Sequence, residues 1–314
     1  MPPARVSVVI ATNRGGPYLR EAITSVRAQT TPVVEIVIVD DGSPDPDEVR
    51  ALGADLGARV LRHPPAGVSA ARNHGARHTS GEWIAFLDDD DVWHPHKIEA
   101  QLAAIDGAPD AVACAAGIWI IDQAGAPSGQ EWGAPVHDRV DMLRGVAALP
   151  RIAGLLVRRA AFDEVGGFDT RFAHAEDIEL MLRLLQVGRF TAVDRALTGY
   201  RRHDANTSGG PEDISGHLRA LRHQVGHTKR RRDAAHADLL RENLARFRAA
   251  IAEGLASSVL AGLRRGHWHR AAVEAGRGLR WAPADFLRAT ARRAARFAAR
   301  GPQPIENAAA SERG

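Results

Sequence analysis

The chain has 314 residues, 45% hydrophobic and 25% charged, with one cysteine, Cys114. That composition excludes wholesale disorder, a collagen-like fibre and a membrane channel, and a lone cysteine excludes an intrachain disulfide or a cysteine-built zinc site. The net charge of +3 hides a split, because residues 211–314 hold 20 Lys and Arg against 10 Asp and Glu, whereas residues 1–210 hold 21 against 28.

Val6–Ala11 is a continuous apolar run, the mark of a strand buried on both faces. Tyr18–Gln29 places Leu19, Ile23 and Val26 at helical spacing. Glu35–Val39 is a second buried strand, stopped by Asp40-Asp41-Gly42-Ser43. A helix over Asp47–Leu56, a strand over Arg59–Arg62, a helix over Ser69–Thr79 and a strand over Trp83–Leu87 follow. This alternation predicts an α/β fold with a mostly parallel sheet and right-handed crossovers. Beyond it, Val112–Ile121 reads as a strand, Gly125–Asp138 as a loop and Ile152–Val157 as a strand. Ala160–Val165 reads as a short helix, and Asp177–Leu185 as a helix with acids in its first turn, where the helix dipole favours them. From Pro211 the β-branched runs vanish, and Ala and Arg dominate to Arg300, the pattern of amphipathic helices. Gly301–Gly314 has no periodicity and reads as a frayed tail. The longest apolar stretch of the rear part, Ile251–Leu263, contains Glu253 and falls short of the roughly 20 residues a spanning helix needs. A cytoplasmic protein, peripheral on a membrane at most, is expected.

The segment most loaded with chemistry is Trp83–Trp93, WIAFLDDDDVW. Four adjacent carboxylates, Asp88 to Asp91, oppose folding unless a cation joins them. Ligands of an open parallel sheet bind beyond the carboxyl ends of its strands, so an acidic cluster there suits Mg2+ or Mn2+. Asp91 also suits a helix cap ahead of Pro95–Leu102. Asp40 and Asp41 end a second strand and would bring carboxylates to the same rim. Glu176-Asp177 opens a helix after the Gly-rich stretch Gly166–Phe172, and Asp177 there suits a general base for an incoming hydroxyl.

With these residues on view, the chain resembles a family 2 glycosyltransferase of the GT-A fold. The resemblance runs through VSVVIATNRGGPYLREAITSVRAQT, IVIVDDGSPD, GVSAARNHGARHTSGEWIAFLDDDDVWHPHKIE, GLLVRRAAFDEVGGFDTRFAHAEDIELMLRL and YRRH at Tyr200–His203, in the family's order over roughly residues 5–208. It implies a nucleotide-sugar-binding part over 1–115 and an acceptor part over 116–210, ahead of the basic helical region over 211–300 and the tail over 301–314 that the residue pattern gives. It implies that Asp41, with Asp40 beside it, contacts the nucleobase, and that Ala11 begins the loop around base and ribose. Asp88 and Asp90 fall on the two acids of the DxD motif. Asp90 would then ligate the metal, Asp88 would hold the ribose or a metal-bound water, and Asp89 would share either role. Asp177 falls on the catalytic base with Glu176 as its companion. His203 falls on a histidine reaching metal or diphosphate, with Arg201 or Arg202 on phosphate.

The implied reaction is inverting transfer from a UDP- or TDP-sugar to a glycan or lipid-linked acceptor. Ala11-Thr12-Asn13-Arg14 stands where the family often has Pro-Thr-Tyr-Asn, so the aromatic near the base is missing and the base stays open. Gln186–Phe190 departs from the QxxRW motif of processive relatives in position and in its last residue, which argues against a processive synthase. Two rivals are a sugar nucleotidyltransferase and a non-catalytic carbohydrate- or nucleotide-binding protein. The basic region suits an anionic membrane surface; nucleic acid is not expected, because Trp268 and Trp281 are the only tryptophans there. Trp119 and Trp132 fall where an acceptor sugar could stack.

Overall fold

The computed structural model describes residues 5–134, 137–204, 206 and 211–299. The chain forms two compact units, 1–243 and 244–314. The first is built on nine strands: β1 (Val6–Thr12), β2 (Glu35–Asp40), β3 (Arg59–Arg62), β4 (Trp83–Asp88), β5 (Val92–Trp93), β6 (Ala111–Ile121), β7 (Pro127–Trp132), β8 (Leu155–Arg158) and β9 (Arg189–Arg201). The helices are α1 (Pro17–Arg27), α2 (Pro46–Asp55), α3 (Val68–Arg77), α4 (Lys97–Asp106), α5 (Arg139–Leu143), α6 (Arg159–Glu164), α7 (Glu176–Val187) and α8 (Pro211–Arg230). The helix α9 (Ala234–Arg264) runs on into the second unit, followed there by α10 (Trp268–Trp281) and α11 (Pro283–Ala299).

The strand order is β3-β2-β1-β4-β8-β6-β9-β5, with β7 paired to β6. β3, β2, β1 and β4 pair in parallel, as do β6 and β9. β8 lies antiparallel to both neighbours, and β5 and β7 add antiparallel ribbons. The expectation of a mostly parallel α/β sheet flanked by helices is met along the body of the sheet, where β8 alone reverses direction.

The apolar runs explain this core. Val8, Val9, Ile10, Val37, Ile38 and Val39 are fully buried, as a strand covered on both faces requires. The helix α1 seats Leu19, Ile23 and Val26 on the sheet, each contributing about 1.5–3 kcal/mol by burial. On α3 the buried face is small, and a side chain at Gly75 would run into Val9 and Val39. That close approach sets α3 directly under β1 and β2. Gly42 turns the chain after β2 at φ +90°, a conformation that favours glycine. Lys97 is wholly buried on α4, donating to Gln101 (2.8 Å) and lying over the Trp93 ring, and burial pulls its pKa down to about 7.

Three sequence expectations need correction. The stretch Gly125–Asp138 is not all loop, because Pro127–Trp132 forms β7. All six of its residues are exposed, so it carries no apolar signature and owes its form to pairing with β6. The long strand β9 went unread because charged residues at 194–195 interrupt its apolar pattern, at the place where its register with β6 shifts. Asp91 does not cap α4: its side chain turns inward to accept the Arg201 amide (2.9 Å), and His96 stands at the cap without a side-chain bond.

In the second unit, Phe286 of α11 fills the space beside Gly278 of α10. Glu253 pairs with Arg292 and Arg293, and Asp285 with Arg248 and Arg288. No described helix is long and apolar enough to cross a membrane. Gly301–Gly314, read as a tail, lies outside the described residues.

Candidate active site

Three strand ends form the rim. Ala11 pairs with Val39 on one side and Asp88 on the other, and Thr12 pairs with Asp40. The acids of β2 and β4 therefore flank the end of β1, where an open parallel sheet binds its ligands.

Asp40 and Asp41 are adjacent in sequence and differ in use. Asp40 is 1% exposed. It accepts from the Ser43 amide (2.7 Å) and hydroxyl (2.9 Å) and pairs with Arg62 (2.5 Å). Burial raises its pKa, but these donors outweigh burial and hold it below the usual carboxylate range. Asp40 thus shapes the turn. Asp41 faces the loop before α3, accepting from the Gly67 amide (2.8 Å), the Ala66 amide (3.0 Å) and His63 (3.1 Å).

The acidic run spreads its four carboxylates over four surroundings. Asp88 points to Arg72 (2.5 Å). Asp89 accepts from Thr12 (2.5 Å) and pairs with Arg14 (2.8 Å); burial raises its pKa against these donors. Asp90 meets Arg14 and His203 Nε2, both at 2.9 Å. Asp91, wholly buried, has its pKa raised well above the ordinary value by burial and by Asp88 and Asp90. Arg201 is fully buried and spends its guanidinium internally, on Glu21 (2.5 Å) and the Asp90 carbonyl (2.8 Å), with Tyr18 under its plane. Tyr18 in turn stacks on His203, fixing the imidazole beside Asp90.

Glu176 and Asp177 open α7, immediately after Ala175 at φ +59°. A left-handed alanine costs about 1 kcal/mol, and it aims the first turn of α7 at the rim. Arg72 joins the halves: it is 4% exposed and binds Asp88 (2.5 Å) through one nitrogen and Glu176 (2.8 Å) through the other. Burial, and then Glu176, push the Asp177 carboxyl up to about 6, against the pull of Arg72. Asp177 is therefore ionised at neutral pH yet basic enough to accept a proton.

The structure thus gathers Asp88, Asp89, Asp90, His203 and, through Arg72, Glu176 and Asp177 around one rim, with Ala11 and Asp41 beside it. Asp40 and Arg201 hold the walls. Arg72 and Thr12 went unread in the sequence, since each acts as a partner to an acid elsewhere in the chain, and Arg14, a partial match to the phosphate loop of a nucleotidyltransferase, pairs instead with Asp89 and Asp90. An Asp90 carboxylate oxygen and His203 Nε2 stand 2.9 Å apart, whereas Asp88 is held at 2.5 Å by Arg72, and carboxylate oxygens are the donors that Mg2+ and Mn2+ favour. The Arg14 guanidinium on Asp90 marks where positive charge is favoured. Among the described residues the grouping of acids and histidine close enough to share an ion is Asp169, Glu179 and His223, which is engaged by Arg171, Arg183 and Gln224 and acts as a brace between α7 and α8.

Comparisons with known proteins bear on the family and the fold. The family described as Glycosyl transferase family 2 matches residues 7–166. An uncharacterised glycosyltransferase of Rickettsia typhi is 30% identical over 211 residues, covering 65% of either chain. A Rickettsia felis homologue is matched over 36% of its length. The glycosyltransferase YwdF of Bacillus subtilis is 31% identical over 64% of this chain and 75% of its own. Among solved structures, residues 1–349 of S. aureus TarS in complex with UDP superpose with a TM-score of 0.60 at 16% identity, over 93% of this chain and 91% of that one. The same fragment with UDP-GlcNAc gives 0.57 at 19% identity, over 70% and 65%. At such identity the likeness is one of fold. The matched family covers half of the chain and carries the strand ends that build the rim, so the chain belongs to glycosyl transferase family 2.

Proposed function

We propose that this protein is an inverting glycosyltransferase that moves a sugar from a UDP- or TDP-sugar to an acceptor hydroxyl. The carrying observation is the Arg72 bridge, which sets the acidic rim and the Glu176-Asp177 pair into one site. Residues 1–115 would serve the donor and 116–210 the acceptor. Asp41, at the mouth of the rim, would read the base. Asp90, with Asp88 and His203, would hold Mg2+ or Mn2+, which when bound compensates charge on the leaving diphosphate. Asp177 would take the proton of the acceptor hydroxyl as it attacks the anomeric carbon. One base and no carboxylate assigned as nucleophile make this a single displacement, hence inversion. The TarS complexes with UDP and UDP-GlcNAc support the donor class.

Calorimetric titration of UDP, TDP and GDP, each with Mn2+, Mg2+ or EDTA, tests this. One nucleotide is expected to bind only with metal, and Asp90→Ala to abolish that binding. Metal-independent binding, or none of any nucleotide, would overturn the site.

The second unit suits a membrane surface. Residues 244–314 hold 13 Arg and no Lys against 5 acids. Trp268 is 68% exposed and Leu279 50%. They stand three turns apart on one stripe of α10. The glycan or lipid-linked acceptor would then be met at an anionic leaflet. Co-sedimentation is expected with phosphatidylglycerol vesicles and not with phosphatidylcholine, weakened by salt and by Trp268→Ser. Equal binding to both vesicles would remove this contact.

A further inference from the structure

Within the first unit lies a cavity of about 360 Å³ that the transfer chemistry leaves unused. Strand β6 lines it with Ala116 and Ile118, β9 with Phe190 and Ala192, and the segment after α5 with Leu149 and Pro150. A pocket for a free glycan offers converging polar groups, and this wall is mostly hydrocarbon, with His137, Thr191 and the Trp132 indole as its polar members besides Arg151. Its mouth is different. Arg151 lines it, exposed, with its guanidinium 4.2 Å from the Tyr200 ring. Among the described residues Arg151 has no carboxylate partner in an ion pair. Tyr200 is the penultimate residue of β9, whose last residue, Arg201, gives its backbone amide to Asp91 (2.9 Å), so the Arg151 end of the cavity lies at the end of β9 nearer the acidic run.

We propose that this cavity holds the apolar chain of an amphiphilic acceptor, an alkyl or prenyl phosphate ester whose phosphate carries a sugar with the acceptor hydroxyl, with Arg151 on the phosphate. The chain lies between β6, β9 and the 148–151 segment. The phosphate sits at the mouth, and the group beyond it is presented to the rim. The word acceptor rests on the glycosyl-transfer reading; the binding site itself does not.

Butyl, octyl and decyl phosphate, each below its micelle concentration, are titrated calorimetrically against the full chain. UDP with Mn2+ is titrated in the same preparations. Each methylene buried raises affinity about fourfold, so decyl phosphate is expected to bind at least ~100-fold tighter than butyl phosphate even with partial burial. Ala192→Phe, which fills the cavity, and Ala148→Phe, at its edge, are each expected to remove at least ~10-fold of that gain with UDP binding unchanged. Arg151→Gln is expected to weaken decyl phosphate and to leave decanol unaffected. Affinity independent of chain length, or a gain that survives both phenylalanine variants, would overturn the proposal. Chain-dependent binding without UDP binding would leave the cavity standing and sink the nucleotide-sugar reading; UDP binding without chain dependence would do the reverse.

Discussion

Asp177→Asn is expected to keep nucleotide affinity and to lower turnover by ~10²–10⁴, the usual loss when a positioned base is removed. Asparagine preserves the shape and can still accept the Ile178 amide that Asp177 now receives at 2.7 Å. It cannot take a proton. The wild type should carry the same signature in its pH profile. Burial and Glu176 raise the Asp177 pKa to about 6, opposed by Arg72 and by the Ile178 amide, with Asp88 adding a smaller push upward. Above that pH the carboxylate is free to act; below it the base is already protonated. Turnover is therefore expected to fall about tenfold per unit as pH drops beneath 6, while nucleotide binding, measured separately, falls less steeply. Single-turnover rates with saturating donor isolate the chemical step. A variant retaining more than a tenth of the wild-type rate would remove Asp177 from the role of base.

What the sequence disclosed and what it withheld divide along a physical line. Strands β1, β2 and β4 are legible because a strand covered on both faces must be apolar throughout, and β6 nearly so. The acidic run is legible because four adjacent carboxylates are costly without a reason. Its neutralisation is not legible, since it depends on partners far along the chain: Arg14 is 75 residues from Asp89, and Glu176 is 104 from Arg72. Asp91 shows the same limit. Locally it fits a helix cap, yet β9, arriving 110 residues later, supplies the amide that turns it inward. Strand β7 lacks any local mark, being exposed throughout, and Arg201, placed on phosphate by motif position, is drawn instead to Glu21 of α1, 180 residues before it.

The largest expected effect away from the base is at Arg72. Removing it leaves Asp88, Glu176 and Asp177 facing one another without their common cation. Breaking a buried ion pair by deleting one partner costs about 3–5 kcal/mol. Asp88 keeps 36% of its side chain exposed, so water relieves part of the strain and the lower end, about 3 kcal/mol, is the expected loss for Arg72→Ala in denaturant unfolding. Arg72→Lys should recover little, because one ammonium on a flexible stem cannot bridge two carboxylates as the planar guanidinium does. The pH profile separates this positioning role from simple loss of packing. Arg72 is the charge that pulls the Asp177 pKa down, so its removal must raise that pKa and move the acid limb of turnover to higher pH. A merely structural role would lower stability and leave the limb where it was. Loss of about 3 kcal/mol with an unmoved limb would confine Arg72 to the fold; a limb displaced upward in both Arg72→Ala and Arg72→Lys would show that the bridge between the acidic rim and α7 also tunes the base.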